Sequence, residues 1–468
     1  MRLFFKFIIE NSFLKTFPTF NQFLKNKEVP KIFVFSQKNR IHLMKKVVFI
    51  AGTRTPFLRS GTDYMDLMSY QLGQFAIKGL LVKTGIDPNE IDKVIMGNVI
   101  SNVQTPNVAR EAAITAGVPV KATCRTVSQA CISANRAIAD AALEIMTGQS
   151  EVVIAGGIDH TSDAPIQYPR KMRKKLFLAQ KLRGVGDYLK FAMGLRPSDF
   201  VPEQPKVAEY TTNRVMGVDC DIMAARFEVS REAQDKFAVR SHKLAHEAYE
   251  AGHLPKEITE VSLPPKFAPI TKDNGVRGNS TYEKVAKLRP AFDRKFGTLT
   301  AANSSFLTDG ASACLLMSED KAKELGLTPT VEIVDFVFTG QSLEDELLLG
   351  PTYAVSEVLK RNNMTFDDMD VIEFHEAFAG QILANLTALA SDEFAKEHLG
   401  RDKAVGKVPM DKFNLWGGSL SIGHPFGATG GRLLTTTAHR LQHEKGTYGL
   451  LAACAAGAHG HAMIVKRI

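Results

Sequence analysis

Val127-Ser-Gln-Ala-Cys131-Ile-Ser-Ala-Asn-Arg-Ala-Ile138 sets a cysteine among small residues at the opening of an apparent helix. A thiol there feels the positive end of the helix dipole, which favours the thiolate and makes the sulfur a nucleophile near neutral pH. Taken alone, the stretch also describes an inert core thiol, because free cysteine is among the most buried residue types. Its surroundings give it a setting. Upstream, residues 93–97 read as a strand and 107–116 as a helix, and downstream Glu151-Val-Val-Ile-Ala-Gly-Gly157 reads as a buried strand. Strands alternating with helices imply a layered α/β core.

The same rhythm extends in both directions. Residues 46–51 form a short β-branched run ending at Gly52, and 67–83 show helical spacing. Between residues 160 and 288 the pattern breaks into a basic stretch, prolines at 197, 202 and 205, and a strong helix over 230–251 whose Ser230 start lacks the capping-box glutamate. Regular order resumes over 297–318. It continues with a strand at 331–338, a helix at 351–361, a strand at 371–374 and a helix from Ala377. A helix over 427–443 and strands at 449–454 and 461–466 close the chain. Two similar α/β halves, over 44–163 with 288–318 and over 319–468, carry a large loop domain inserted at 164–287. No repeat is visible residue by residue, so the duplication is one of architecture.

Composition narrows the function classes. An apolar content of 44% and a charged content of 23% describe an ordinary globular chain, and no apolar run is long enough to cross a bilayer. At 468 residues it exceeds a single core, so two or three domains are expected. Five cysteines with no C-x-x-C pair argue against a disulfide framework and a structural zinc site. The net charge of +8 is local: residues 1–43 carry +6 and residues 170–196 carry +8, which leaves −6 over the rest. That excludes a broadly basic, nucleic-acid-binding body.

Met44-Lys-Lys-Val-Val-Phe-Ile-Ala-Gly52 itself reads as a natural start, so residues 1–43 read as an upstream extension of the frame or a basic tail. They lack the composition of a transit peptide or a cleavable signal. The basic stretch 170–196 interleaves Met172, Leu176, Phe177, Leu182, Tyr188, Leu189, Phe191 and Met193 with its lysines and arginines. That is the composition of a helix lying on an anionic membrane surface; the plainer alternative is a solvated lid on the body.

Three clusters in the second half bear on Cys131: Phe374-His375-Glu376-Ala377-Phe378, the glycine-rich run from Gly417 to Gly430 around His424, and Ala453-Cys454-Ala-Ala456-Gly-Ala458-His-Gly460. Glycines around a lone histidine let backbone approach a ligand while the imidazole points into a site. With Ala51-Gly-Thr-Arg-Thr-Pro56, Met216-Gly217 and the run from Thr300 to Gly310, they form an ordered set. By it the chain resembles the thiolase family over essentially all of residues 44–468, and within that family the β-subunits of fatty-acid oxidation complexes.

The resemblance implies an αβαβα core and acetyl-CoA C-acyltransferase chemistry, the cleavage of a 3-ketoacyl-CoA by CoA in fatty acid β-oxidation. It makes Cys131 the acylated nucleophile, His424 its base, Cys454 the second acid/base, and His375 an oxyanion-hole residue where many thiolases carry asparagine. The backbone N–H groups of Cys131 and Ala456 would bind an oxyanion, and Met216, Ala377, Phe378, Asn303 and Ser304 would contact substrate or CoA. Where the family usually has three consecutive glycines this chain has Ala456-Gly457-Ala458, which is costly if those alanines need positive φ. Glu376, His459 and His461 read as bracing or core residues.

The resemblance implies no metal and no prosthetic group, CoA entering as substrate. It implies a homodimer or higher oligomer, a hydratase/dehydrogenase α-subunit as partner, and either a bacterial cytoplasmic or a mitochondrial setting. An acetoacetyl-CoA thiolase and a non-catalytic lipid carrier on the same fold are the alternatives. Retention of both cysteines and of His424 speaks against the carrier, since binding needs neither.

Overall fold

The computed structural model describes residues 44–203 and 208–468. The basic segment 1–43 and the expectations attached to it lie outside the described residues. The β-branched run after Met44 forms strand β1 (Val47–Arg54). The chain then gives helix α1 (Ser69–Thr84), β2 (Lys93–Gly97), α2 (Val108–Thr115), β3 (Thr123–Val127), α3 (Ser133–Met146) and β4 (Val152–Asp159). After the insertion come β5 (Thr308–Ser318) and β6 (Val331–Gly340), and then β7 (Val371–Phe374), β8 (Tyr448–Ala455) and β9 (His459–Arg467). The expected elements occur in order, most ends displaced by a residue or two; β1 runs three residues further, and β3 is an addition to the expected set.

Hydrogen bonding runs β7-β8-β9-β6-β1-β5-β4-β2-β3, with the short strand Leu58–Arg59 pairing with β5 off that path. The duplication is plain in this order. In the first half β2 lies parallel to β4, which is antiparallel to β5, which is antiparallel to β1. In the second half β7, β8, β9 and β6 repeat that sequence of directions. The halves join through β1 and β6, where only Val48 with Glu332 and Phe49 with Val331 pair.

Period-2 alternation then builds five layers. On β8, Leu450 and Ala452 face an outer core with helices Gly350–Arg361 and Ala379–Leu389, whereas Leu451, Ala453 and Ala455 face inward. On β5, Ala311, Ala313, Leu315 and Met317 join the core under α1 and α2, while Cys314 and Leu316 face inward. Between the inward faces lie α3 and the helix Thr429–Glu444. Twelve of the sixteen residues of that second helix are buried, so its polar side chains need internal partners. Thr435 and Thr437 donate back to the carbonyls of Gly431 and Leu433, Thr436 donates to Glu257, and Arg440 pairs with Glu373 at 2.7 Å.

The insertion departs from expectation in one respect. Residues 170–196 form two short helices, Arg170–Ala179 and Val185–Met193, interrupted around Gly184, instead of one amphipathic helix. Phe177 is 65% exposed, Val185 87% and Met193 71%, so this hairpin is largely not packed against the body. Further on, Ser230 caps the helix Arg231–Glu250 by accepting from the Ala233 N–H, which makes a capping-box glutamate unnecessary.

Gly157 on β4 is where the body meets the loop carrying His424, for a Cβ there would stand 1.7 Å from the Gly427 carbonyl oxygen. Gly427 also donates its N–H to buried Asp159, so the loop cannot simply back away. Gly157→Ala is therefore expected to lower the urea midpoint by the equivalent of about 2 kcal/mol. An unchanged midpoint would show that the loop yields freely.

Candidate active site

Cys131 sits on the turn between β3 and α3. Ala130 before it adopts φ +46°, a left-handed conformation that costs an alanine about 1 kcal/mol. Ser133 stabilises the turn, its hydroxyl donating to the Ala130 carbonyl at 2.7 Å and accepting from the Gln129 N–H at 2.8 Å. His375 immediately follows β7 and extends its ladder by donating its N–H to the Ala452 carbonyl at 2.8 Å. His424 follows Gly423, which has φ +109°, and donates its N–H to the Thr308 hydroxyl at 3.0 Å.

These elements converge. The Cys131 sulfur and one ring nitrogen each of His375 and His424 lie within 4.8 Å of one another, and the two imidazole centroids are 4.0 Å apart. In both rings Nδ1 has a hydroxyl neighbour: Ser419 at 2.9 Å for His375 and Thr429 at 2.6 Å for His424. Both Nε2 atoms are buried without a partner. Cys454, near the end of β8, is buried and close enough to Cys131 for a Cys131 thiolate to disfavour its ionisation. The backbone N–H of Ala456 reaches the Cys131 sulfur.

The model of the thiolase N-terminal domain matches residues 47–320, and that of the C-terminal domain matches residues 327–467. The chain belongs to the thiolase family. Mouse trifunctional enzyme subunit beta, mitochondrial, is 51% identical over 423 residues, covering 90% of this chain and 88% of its own length. A 3-ketoacyl-CoA thiolase of Pectobacterium atrosepticum is 44% identical over 421 residues, covering 90% and 96%. Among solved structures, human mitochondrial 3-ketoacyl-CoA thiolase in complex with CoA superposes with a TM-score of 0.77 at 28% identity, covering 91% of this chain and 99% of that one.

Within this thiolase site the titrating groups rest neutral. Burial pushes the Cys131 thiol up to about 12 and nearby Asp159 adds to it, against the pull of the Ala456 N–H and its own. This runs against the expected dipole-stabilised thiolate: desolvation raises the thiol although Cys131 lies close to the helix start at Ser133. Burial holds His424 down to about 3 and His375 well below its ordinary value, with Arg432 and the neighbouring ring adding to the effect. Cys454 is raised well above 9 by burial and by Cys131. The same Cys–His–His trio is the one cluster with metal-ligand proximity among the described residues.

Of the other candidates, Met216, Ala377 and Phe378 join one apolar cluster with Cys454 and Ala458. Ser304 is buried with its hydroxyl unpartnered. Asn303 is tied into the fold: its amide donates to Asp235 and the Thr298 carbonyl and its side-chain oxygen accepts from the Thr300 N–H. Glu376 braces, accepting from Ser241 and Asn414 at 2.7 Å. In the last motif the left-handed residues are Gly457 and Ala458, at φ +80° and +54°. The strain thus falls on Ala458 and not on Ala456, whose N–H faces Cys131.

Sequence reading missed a cavity of about 430 Å³ lined by Arg59, Arg277, Lys284, His242, Phe306 and Leu420, among others. The Arg59 guanidinium lies 3.8 Å over the Phe306 ring, and burial with Arg277 nearby lowers its pKa. The cationic residues stand far apart in sequence, at 59, 277 and 284, so no local motif marks them.

A neutral resting thiol has a measurable consequence. Alkylation of Cys131 by iodoacetamide, followed by mass spectrometry of its peptide, should accelerate about tenfold per pH unit from pH 7 to 10 with no plateau. A plateau below pH 8 would mean that the free protein already holds a thiolate.

Proposed function

We propose that the protein is a 3-ketoacyl-CoA thiolase, an acyltransferase of fatty acid β-oxidation. One observation carries this: a thiol and two buried imidazoles with unpartnered Nε2 atoms converge within 4.8 Å, with a second buried thiol beside them. Cleaving a carbon–carbon bond next to a thioester needs a nucleophile that is also a leaving group, a base for it, an acid at the α-carbon and donors for the oxyanion.

His424 Nε2 takes the Cys131 proton as the sulfur attacks the 3-keto carbon. The Nε2–H of His375 and nearby backbone N–H groups, that of Ala456 among them, stabilise the oxyanions. The C2–C3 bond then breaks, leaving the acyl group on Cys131 and the electron pair on C2 of acetyl-CoA. Cys454, neutral because it is buried, donates its proton to that carbon. Incoming CoA next loses its thiol proton to the Cys454 thiolate and attacks the acyl-thioester. Cys131 leaves as thiolate and recovers its proton from the His424 imidazolium.

The apolar cluster of Met216, Ala377 and Phe378 suits the acyl chain, and the Arg59, Arg277 and Lys284 cavity suits the phosphates of CoA, with the Leu420 and Phe306 wall leading toward His375 and His424. The resemblance to a subunit named beta supports a partner α-subunit, and the mitochondrial name of that relative supports a mitochondrial setting over a bacterial cytoplasmic one. A homodimer and the division into two halves with an inserted loop domain complete the reading. No metal or prosthetic group is needed.

Thiolysis of a C16 3-ketoacyl-CoA by the purified chain should exceed that of acetoacetyl-CoA. Cys131→Ala and Cys454→Ala should each lower kcat by at least about 100-fold. Activity surviving Cys131→Ala overturns the mechanism, and preference for acetoacetyl-CoA overturns the chain-length assignment.

The exposed hairpin over residues 170–196 presents Phe177, Leu178, Val185, Leu189 and Met193 amid lysine and arginine, and on this reading it docks on an anionic membrane surface. Salt-sensitive binding to phosphatidylserine vesicles is expected, lost when the hairpin lysines become glutamine in a protein with unchanged circular dichroism. Unchanged binding rules out this docking.

A further inference from the structure

The two active-site imidazoles differ in what stands behind them. Behind His424, the Thr429 hydroxyl has a second neighbour, the Pro425 carbonyl at 3.1 Å, to which it can donate. Its oxygen is then free to accept a proton held on His424 Nδ1, which leaves Nε2 with its lone pair toward Cys131.

Behind His375 the choice is closed. Ser419 is buried at the start of the short helix Ser419–Ile422, and its hydroxyl stands 2.9 Å from His375 Nδ1 and 3.2 Å from a terminal nitrogen of Arg432. A guanidinium only donates, so the serine oxygen accepts from Arg432. Among the described residues the serine proton then has one acceptor, His375 Nδ1. With Nδ1 accepting, the neutral ring carries its proton on Nε2, the atom that is buried without a partner.

Arg432 is itself fully buried, and its Nε and Nη1 lack hydrogen-bond partners, the Glu373 carboxylate lying 3.9 Å from Nη1. Its hydrogen bond from the side chain goes to Ser419. We infer that Arg432 and Ser419 are positioning residues that fix the proton of His375 on Nε2, so that this ring donates a hydrogen bond where His424, 4.0 Å away, accepts one. A base and an oxyanion donor are thereby made from two identical side chains. The inference rests on the acyl-transfer reading of Cys131.

Two measurements test it on the full chain. In 15N-histidine-labelled protein, long-range 1H–15N correlation spectra report which ring nitrogen is protonated, with the His375 signals assigned by their loss in His375→Asn. His375 should show the Nε2–H form, and Ser419→Ala should shift it toward Nδ1–H. Arg432→Lys should shift it too, and an unmoved pattern there overturns the role given to Arg432.

In thiolysis assays Ser419→Ala should lower kcat on the order of tenfold to a hundredfold with KM nearly unchanged. In a His375→Asn background, whose amide supplies an N–H without help from Ser419, the same substitution should cost less than about twofold. An equal loss in both backgrounds, or a wild-type His375 already protonated on Nδ1, overturns the proposal. Failure of the acyl-transfer reading would appear separately, as turnover by Cys131→Ala, and the spectra need no turnover.

Discussion

The described residues are arranged around a middle layer of largely buried side chains. Two helices, Ser133–Met146 and Thr429–Glu444, lie between the inward faces of the two halves, and the second brings two arginines into that space. Arg440 meets Glu373 at 2.7 Å, Arg432 lies near the same carboxylate, and close by Arg54 is held by Asp273 and Glu257. Such pairs add little net stability, because desolvation offsets attraction, but removing one partner costs about 3–5 kcal/mol. Arg54 thereby ties β1 to the inserted segment, and Arg440 ties the helix Thr429–Glu444 to β7. Glu373 lies two residues before His375 and Arg432 three after Thr429, so the charge network and the two site histidines are carried by the same stretches of chain.

The dryness that makes those pairs necessary also sets the chemistry. Cys131, Cys454, His375 and His424 all rest uncharged, because burial penalises the charged form of each. A thiol and an imidazole that are both neutral exchange a proton only as a bond forms to the substrate, so reactivity is confined to the occupied site. On the proposed reading the oxyanion donors, the N–H of Ala456 and the ring of His375, are fixed before substrate arrives, and dipoles aimed in advance are effective in a medium of low dielectric.

The inserted segment follows different physics. Its helices Met216–Arg226 and Arg231–Glu250 pack on the body, with Cys220 and Met223 entering the apolar cluster around Cys454. The hairpin over 170–196 leaves its apolar side chains largely exposed. One insertion therefore contributes both to the apolar cluster around Cys454 and to an exposed apolar and basic surface.

The sequence by itself determined the alternating elements and marked Cys131, His375, His424 and Cys454, which the fold brings together. Period-2 runs ending in glycine and glycine-rich loops around single reactive residues are local signals, readable without coordinates. It misjudged what depends on distant neighbours. Cys131 near a helix start suggests a thiolate, but desolvation by its surroundings raises the thiol. The amide N–H groups of Asn303 are taken up by Asp235 and Thr298, which no local signal shows. The cationic cavity draws on residues at 59, 277 and 284, and the protonation of His375 depends on Ser419 and Arg432, 44 and 57 positions away. Protonation states and pocket composition are properties of surroundings, and only the tertiary structure decides which surroundings a residue has.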